Sequence, residues 1–376
     1  MLPTNPDPLR HAPWRAVVLA GGKGTRLRPL TESRPKPLVP FMGAPYAAGL
    51  LRRLAQAGCG RATFLVGPDA GPFAPIQDLG RAAGIRVDLV TEERPLDTAG
   101  AARRLLAGTG ERSVVVLNGD ILSDVRYERL IEAHRRSRSV ATLALMRVED
   151  PSSYGVVVRD DAGRVRRFLE KPAPGTTAHR TVNAGAYVLD ASAFDLLPGD
   201  GSLSFERDVF PALVDEGALV TGVIPHAYWQ DLGTPERYRA GHRAVLERRC
   251  AWPWAPGLRR IGPLAAVHRD AAVDRAASLA GPVVVGAGCA IEPGARIGDA
   301  VLFDEAAVEG SASVSQAILG RGARVRSGIR LDPGSVLADG AVVAGPVTAP
   351  SREAGPALLQ DPPMSADDGV RMTDDG

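Results

Sequence analysis

The chain contains 376 residues, which is longer than one typical domain, so we expect two domains. Its 45% hydrophobic and 23% charged residues are typical of a folded globular protein, and a formal net charge of +2 without a long basic run argues against a general nucleic-acid binder. No apolar run approaches the ~20 residues of a membrane span, and three widely spaced cysteines indicate a cytoplasmic protein without a disulfide framework or a cysteine metal site.

The first part of the chain alternates apolar strands with amphipathic helices. Residues 1–13 are polar and proline-rich and are expected to form a flexible tail, and the first domain is predicted to span residues 14–248. Strands are predicted at residues 16–20, 62–66, 87–91 and 114–117, with helices at 46–57, 73–83 and 98–107. This alternation predicts a mostly parallel sheet covered on both faces, whose ligands bind beyond the carboxyl ends of its strands.

After residue 120 the pattern changes to antiparallel or mixed strands. We predict these strands at residues 140–146, 155–158, 164–169 and 183–189. A helix at 205–216, a strand at 218–224 and a helix at 234–248 then complete the first domain.

A glycine-rich loop follows the first strand. Gly21, Gly22 and Gly24 lie within four residues, beside the cations Lys23 and Arg26. Glycine lets backbone N–H groups approach a ligand closely, and a nest of such groups with cationic side chains is a phosphate cradle. The glycines alone would also fit a dinucleotide-binding turn or a plain tight turn. This loop and the Asn-Gly-Asp turn at 118–120 both follow strands, so both are expected at the carboxyl edge of the sheet.

The second part of the chain has a different repeat. Residues 249–260 contain Trp252 and Trp254 and are predicted to be a linker that packs by its tryptophans. Over residues 261–348 an apolar residue recurs every six positions, with two one-residue slips, at Ile261, Val267, Val273, Leu279, Val285, Ile291, Ile297, Phe303, Val308, Val314, Leu319, Val325, Leu331, Leu337 and Val343. A period of six fits neither a helix nor an ordinary strand and predicts a left-handed parallel β-helix of hexapeptide repeats. Residues 349–376 carry six acids against two arginines without periodicity, which predicts a disordered acidic tail.

An ordered set of motifs links these features to one family. The run Gly-Gly-x-Gly-Thr-Arg-Leu-x-Pro-Leu-Thr at 21–31, with Arg-Pro-Lys-Pro at 34–37, resembles the signature of the sugar-nucleotide pyrophosphorylases, the NTP:sugar-1-phosphate nucleotidyltransferases. Segments similar to the family's base, first metal, sugar-phosphate and second metal motifs follow in the same order at 95–100, 116–120, 168–172 with 182–185, and 228–234. The resemblance spans about residues 15–345 and is nearest to the mannose-1-phosphate guanylyltransferases. It implies a Rossmann-like catalytic domain followed by a hexapeptide β-helix domain.

The resemblance implies a specific reaction. An oxygen of a sugar 1-phosphate attacks the α-phosphorus of a nucleoside triphosphate and pyrophosphate leaves, with GTP and mannose 1-phosphate giving GDP-mannose as the nearest match. Two polyanions must meet, so cations are needed on both sides of the reacting phosphorus. The implied catalytic residues are Arg26 at the triphosphate, Lys36 at the α-phosphate and Lys171 at the sugar phosphate. Each of them read alone would also fit a solvated surface cation.

The resemblance also implies binding residues and a metal site. The nucleotide-binding residues would be Leu19, Gly21, Gly22, Gly24, Thr25, Arg26, Lys36, Thr98, Gly100 and Asn118. The sugar-phosphate-binding residues would be Gly155, Glu170, Lys171 and Asn183. Asp120 and Asp231 would hold Mg²⁺, which proteins usually bind by one or two carboxylates together with substrate phosphates. Either aspartate alone would also fit a helix cap or a turn residue.

One residue departs from the family pattern. Many relatives have glycine where this chain has Asp97. An acid here would disturb nucleotide binding, cap the helix that follows or accept hydrogen bonds from a guanine edge, so the nucleotide preference stays open.

Other functions also stay open at this point. The chain would fit a guanylyl-, adenylyl- or thymidylyltransferase that uses another sugar or cyclitol 1-phosphate. A regulatory paralogue without catalysis is disfavoured because Arg26, Lys36, Asp120, Lys171 and Asp231 are all present. An acyl-transferring β-helix is disfavoured because His268 is the only histidine within residues 261–348. The exposed coil faces of the β-helix predict a homo-oligomer.

Overall fold

The computed structural model describes residues 14–91, 96–109, 112–195, 197, 201–345 and 352–353. The tail expected at residues 1–13 lies outside this described part, as does Pro95, the first residue of the predicted base motif. All but two residues of the tail expected at 349–376 also lie outside it.

Thirteen strands and six helices occupy the described part of the first domain. The strands are β1 (Trp14–Leu19), β2 (Pro40–Phe41), β3 (Ala44–Pro45), β4 (Cys59–Val66), β5 (Arg86–Thr91), β6 (Ser113–Asn118), β7 (Ile121–Ser123), β8 (Ala141–Arg147), β9 (Gly155–Arg159), β10 (Val165–Glu170), β11 (Thr181–Asp190), β12 (Val220–Val223) and β13 (Trp229–Asp231). The helices are α1 (Tyr46–Gln56), α2 (Pro75–Ala83), α3 (Asp97–Thr109), α4 (Tyr127–Ser137), α5 (Phe210–Asp215) and α6 (Pro235–Leu246). Short 3₁₀ turns lie at Thr25–Leu27, Lys36–Leu38, Gly71–Phe73 and Ala191–Phe194.

The central sheet begins with four parallel strands in the order β5-β4-β1-β6. Strand β11 then pairs antiparallel with β6, β8 and β9, and β9 pairs antiparallel with β10. Because β12 pairs in parallel with β8, the second half of the sheet is mixed, as predicted. The sequences of the parallel strands are continuous apolar runs because both faces of the sheet are buried, as β1 illustrates. Ala16 and Val18 pack in one core with α1, while Val17 packs in a second core with α3 and α5.

Two predictions for the helices of this domain were incomplete. Helix α4 was not predicted, because charged residues interrupt its apolar face, of which Tyr127, Leu130 and His134 are buried. The helix expected at 205–216 is instead a π-helical turn at Phe205–Val209 followed by α5. Pro211 stands at the start of α5, where its missing N–H is tolerated.

The C-terminal domain consists of short strands. They are β14 (Leu258–Arg260), β15 (Ala265–His268), β16 (Ala272–Val273), β17 (Ser278–Val285), β18 (Ala290–Ile291), β19 (Arg296–Leu302), β20 (Ala307–Val308), β21 (Ser313–Ser315), β22 (Ile318–Leu319), β23 (Arg324–Val325), β24 (Val336–Leu337), β25 (Val342–Val343) and β26 (Arg352–Glu353). From β15 onward the strands pair in parallel, each with at least one strand 16 to 18 residues away in the sequence. Strand β26 pairs with β24, so the pairing continues beyond residue 348, where the sequence placed the domain end.

The register of these strands corrects two of the predicted anchors. Ile261 is 55% exposed and precedes the first parallel strand. Leu302, and not Phe303, aligns with Val285 and Leu319 and is buried among the inward residues. Adjacent residues of a strand face opposite ways, so Phe303 points outward and packs in the core of the first domain.

Candidate active site

The carboxyl edge of the parallel strands brings together the two loops that the sequence placed there. Leu19 of β1 is the register partner of Asn118 of β6, so the glycine-rich loop and the 118–120 turn leave the sheet side by side. The N–H of Gly119 donates to the carbonyl of Leu19 at 2.9 Å. A Cβ at Gly119 would lie 2.7 Å from that carbonyl oxygen, so this close approach requires glycine.

A cavity of about 510 Å³ opens beside these loops. Seven predicted site residues line it: Leu19, Gly21, Gly22, Lys36, Thr98, Asn118 and Asp120. Gly21 and Gly22 are exposed, and a Cβ added at Gly22 would meet nothing within 4 Å. Packing within the described residues therefore does not demand glycine at position 22, whereas a ligand lying against the backbone would.

A second cavity of about 320 Å³ adjoins the first. All four predicted sugar-phosphate residues line it, together with Arg26, Asn118, Asp120 and Asp231. Four residues, Asp97, Asn118, Asp120 and Glu206, line both cavities. The two cavities are therefore halves of one cleft, and Asp120 stands where they meet. A third cavity of about 560 Å³, between α1, α4 and the end of β12, contains none of the predicted residues.

The two predicted metal ligands are neighbours although 111 positions separate them in the sequence. Strands β7 and β13 pair antiparallel, with Ile121 opposite Asp231, and the N–H of Leu232 donates to the carbonyl of Asp120 at 3.0 Å. Each carboxylate has a cationic partner. Lys36 Nζ lies 2.6 Å from Asp120 Oδ2, and Arg237 Nη1 lies 3.1 Å from Asp231 Oδ2.

The donor set of this pair fits a hard divalent cation. Both candidate ligands are carboxylates, which suit magnesium and similar ions. The described residues contain no cluster of three or more His, Cys, Asp or Glu side chains that would close a metal site by itself. Asp120 lines both cavities and Asp231 lines the second, and two carboxylates alone would leave further coordination positions to phosphate oxygens, which matches the way proteins commonly hold Mg²⁺.

Two glycines in the wall of the second cavity lie so close to neighbouring side chains that a Cβ would not fit. Gly155 and Glu170 are register partners in β9 and β10, and a Cβ at Gly155 would lie 2.9 Å from Glu170 Oε2. Gly185 has a φ of +68°, and a Cβ there would lie 2.6 Å from Asn118 Nδ2. The N–H of Gly185 donates to Asn183 Oδ1 at 3.1 Å. The missing Cβ atoms at Gly155 and Gly185 leave room for Glu170 and Asn118 at the cavity wall, and the hydrogen bond from Gly185 holds Asn183 there.

The cations that the sequence assigned to phosphates occupy different positions. Lys36 lines the first cavity and is mostly buried, whereas Lys171 is exposed at the second and lies 3.2 Å from Glu170 Oε1. Arg26 lines the second cavity rather than the first. A Cβ at Gly233 would meet Arg26 Nη2 at 2.9 Å and Asp231 Oδ1 at 2.6 Å, so this guanidinium lies beside the second aspartate.

Three predicted nucleotide-binding residues do not line either cavity. Gly24 has a φ of +63° and accepts a hydrogen bond from Thr31 Oγ1 at its carbonyl, so it shapes the loop. Thr25 is exposed at the start of the following 3₁₀ turn. Gly100 is buried in α3, where a Cβ would lie 3.0 Å from the carbonyl oxygen of Gly201, so its small size serves packing.

Glu206 is a cleft residue that the sequence did not predict. It lines both cavities and accepts hydrogen bonds from Asn183 Nδ2 and Ser204 Oγ, each at 3.3 Å. Burial raises its pKa, and the negative charges of Glu170 and Asp97 raise it further. An acid two residues after a serine at a predicted helix start was the available signal, but that pattern is also typical of ordinary helix starts.

Asp97 has a role that its sequence position only partly suggested. Its φ is +57°, a conformation that favours glycine, which explains why glycine suits this position. Its Oδ1 accepts from the N–H of Thr98 at 2.7 Å, and its Oδ2 pairs with Arg207. The carboxylate therefore has partners at the start of α3 and beside Glu206, in the wall between the two cavities.

No helix within the described residues combines the length and the apolar character that crossing a membrane requires.

Comparisons with known proteins show which proteins the chain resembles. The chain is 41% identical to mannose-1-phosphate guanylyltransferase of Mycobacterium tuberculosis over 295 residues, covering 78% of this chain and 81% of the relative. It is 31% identical over 339 residues to probable mannose-1-phosphate guanylyltransferase 3 of Oryza sativa subsp. japonica, covering 86% of this chain and 91% of that relative. Crystal structures of HddC from Yersinia pseudotuberculosis, one of them complexed with GMP-PN, align at 28% identity with TM-scores of 0.53 and 0.52, covering 61% of this chain and 97% of HddC.

Family models account for both domains. Residues 261–352 match the GMPPB C-terminal domain, and residues 15–248 match the nucleotidyl transferase domain, which holds both halves of the cleft. The chain is therefore a member of the nucleotidyl transferase family.

Proposed function

We propose that the protein transfers the guanylyl group of GTP to mannose 1-phosphate, giving GDP-mannose and pyrophosphate. The observation that carries this proposal is the divided cleft, whose two cavities meet at Asp120 with Lys36 on one side and Lys171 on the other. The names of the curated relatives support the choice of GTP and mannose 1-phosphate.

The nucleoside triphosphate occupies the first cavity in this proposal. The base and ribose lie along Leu19 and Thr98, while the exposed backbone at Gly21 and Gly22 faces the phosphates. Lys36, held at 2.6 Å from Asp120, places its charge at the α-phosphate. Because Arg26 stands beside Asp231, we place its guanidinium near the reacting phosphates.

The sugar 1-phosphate occupies the second cavity. Glu170 and Asn183 accept hydrogen bonds from sugar hydroxyls, the backbone at Gly155 approaches the ring, and Lys171 neutralises the phosphate. An anionic phosphate oxygen then attacks the α-phosphorus, the new P–O bond forms, and the bond to the leaving pyrophosphate breaks. The attacking oxygen is already ionised near neutral pH, so these residues position and neutralise the reactants, and no base is required.

Nucleotidyl transferases generally use a divalent metal, and we propose Mg²⁺ for this one. Asp120 and Asp231 would hold it. When bound, it would supply positive charge to the phosphate oxygens of the nucleotide.

The test of this function is a substrate matrix. Five nucleoside triphosphates are combined with a panel of sugar and cyclitol 1-phosphates in the presence of Mg²⁺, and pyrophosphate release is measured. The proposal predicts the highest kcat/KM for GTP with mannose 1-phosphate. A higher value for another pair would reassign the substrates, and no turnover with any pair would exclude catalysis.

We further propose three properties of the whole protein. The parallel stacking of short strands 16 to 18 residues apart supports a left-handed β-helix of hexapeptide coils. Its outward coil faces would join copies of the chain into a homo-oligomer, which light scattering on the purified protein tests. Three free, buried cysteines support a reducing, cytoplasmic location.

A further inference from the structure

The C-terminal domain contacts the segment that carries Lys36. Asp339 forms an ion pair with Arg34, and its Oδ2 also accepts a hydrogen bond from Ser33 Oγ at 2.8 Å. The other carboxylate oxygen, Oδ1, accepts from the N–H of Arg321 on the neighbouring coil at 2.8 Å. Asp339 is therefore held in its own domain while it holds the segment at residues 33–34.

The segment between this contact and Lys36 is short and stiff. Pro35 and Pro37 flank Lys36, and proline fixes the backbone angle φ. The N–H of Leu38 donates to the carbonyl of Pro35 at 2.8 Å, which closes the turn that contains Lys36. A displacement of Arg34 would thus be passed to Lys36 with little loss within the segment.

A second contact of the same kind reaches the other side of the cleft. Asp299 of the C-terminal domain lies 2.8 Å from Arg239 and 3.0 Å from Arg243, both on α6. The first turn of α6 carries Arg237, which lies 3.1 Å from Asp231. The helix therefore connects the C-terminal domain with the second predicted metal ligand.

We propose that Asp339 and Asp299 are positioning residues through which the C-terminal domain fixes Lys36 and Asp231 for nucleotidyl transfer. The proposal rests on the proposed function for its kinetic readout. Each aspartate acts through a cation, Arg34 or the pair on α6, and neither lines the cleft. Misplacing the reacting groups slows the chemical step more than it weakens the binding of either substrate.

The kinetic test compares Asp339→Ala and Asp299→Ala with a matched control. Glu309 accepts from Arg326 Nη1 at 2.8 Å and from the N–H of Ser327 at 3.2 Å, so Glu309→Ala removes a similar pair of contacts within the C-terminal domain alone. We expect kcat to fall about 10-fold or more in both aspartate variants, with each KM within about 2-fold of wild type. Glu309→Ala should retain the wild-type kcat, and Asp339→Glu should recover most of the lost rate.

Hydrogen exchange of the full-length protein supplies a readout that needs no substrate. We expect the amides of Leu38 and Val39 to exchange faster in Asp339→Ala than in wild type and in Glu309→Ala, with β1 unchanged as an internal reference. Equal exchange and equal kcat in Asp339→Ala and Glu309→Ala would overturn the proposal. If the wild type turns over no substrate pair, the proposed function fails, and the exchange data still decide whether Asp339 holds the segment.

Discussion

At the scale of single residues, Asp120 connects the two halves of the cleft. Its carboxylate lines both cavities and pairs with Lys36, and its carbonyl accepts the N–H that follows Asp231. The ion pair therefore holds Lys36 in the first cavity, beside the point where the two cavities meet. A change at Asp120 should affect the metal, the lysine and the meeting point of the substrates together.

Replacing Asp120 or Asp231 by alanine should nearly abolish turnover. Each variant loses a candidate metal ligand, and we expect a fall in kcat of about 10³-fold, measured by pyrophosphate release. The control is Asp124→Asn, at a carboxylate that accepts from the N–H groups of Tyr228 and Ala251 outside the cleft, and it should keep near-normal turnover. Near-normal activity in either alanine variant would show that the metal assignment is wrong.

Glu206→Gln should raise the stability of the protein and lower its activity. The pKa of Glu206 is raised above its ordinary value of 4.5, so between these two values the folded protein binds more protons than the unfolded chain. The ionised carboxylate therefore destabilises the fold increasingly as pH rises through this range, and the full effect is present above it. The amide removes this effect but changes the hydrogen bonds of the cleft, so we expect a higher Tm at pH 7.5 and a kcat/KM about 10-fold lower.

The same variant should show no gain in Tm below pH 4.5, where the glutamate is protonated in both states. Thermal unfolding followed from pH 4 to 8 measures this convergence. A gain in Tm that is constant with pH would assign the effect to packing and not to charge.

At the scale of elements, helix α6 links three parts of the molecule. Its first turn is capped by Thr234 and holds Asp231 through Arg237, and its middle contacts the C-terminal domain through Arg239. Its buried face carries His242, whose Nε2 accepts from the N–H of Met42 at 3.2 Å. The ring must then carry its proton on Nδ1, which donates to the carbonyl of Tyr238 at 3.0 Å.

This buried histidine should make the protein acid-sensitive. Burial lowers the pKa of His242 from 6.5 to about 4, so the unfolded chain binds more protons between these values and the free energy of unfolding falls as pH falls through this window. The loss should total about 3 kcal/mol, measured by urea unfolding from pH 7 to 4. His242→Gln cannot titrate, and an equally steep pH dependence in that variant would contradict the assignment.

At the scale of the whole molecule, the two domains share one hydrophobic core. Val301 and Phe303 of the C-terminal domain belong to the same buried cluster as Tyr238 of α6 and Trp252 of the predicted linker. The rings of Phe303 and Tyr238 lie 6.4 Å apart, and Trp252 stacks on Tyr46 at 5.0 Å. Burial of this kind couples the stabilities of the two domains.

The domains should therefore unfold in one transition. Two of the four tryptophans lie in the first domain and two in the predicted linker, where Trp252 packs on Tyr46 of that domain. Tryptophan fluorescence therefore reports the first domain with its linker, while far-UV circular dichroism reports both domains. We expect the two curves to coincide in the wild type. Phe303→Ala should lower the unfolding free energy by about 3–5 kcal/mol and separate the curves. Leu331 is buried in the core of the C-terminal domain alone. Leu331→Ala should therefore shift both unfolding curves to lower stability without separating them.

The sequence by itself determined the alternation of strands and helices, the period of six and the motifs that carry most cleft residues. Each of these is a local pattern, since the spacing of apolar residues reports which face of an element is buried. It also determined the placement of the glycine-rich loop and Asn118 at one sheet edge, because parallel strands end together.

Only the tertiary structure decided which distant residues meet. The pairing of β7 with β13 brings Asp231 to Asp120, and the coil register turns Phe303 outward to Tyr238 while Leu302 points inward. The contact between Arg34 and Asp339 spans 305 positions and has no local signature. A sequence pattern shows that a residue is charged or apolar, but the packing of whole elements selects its partner.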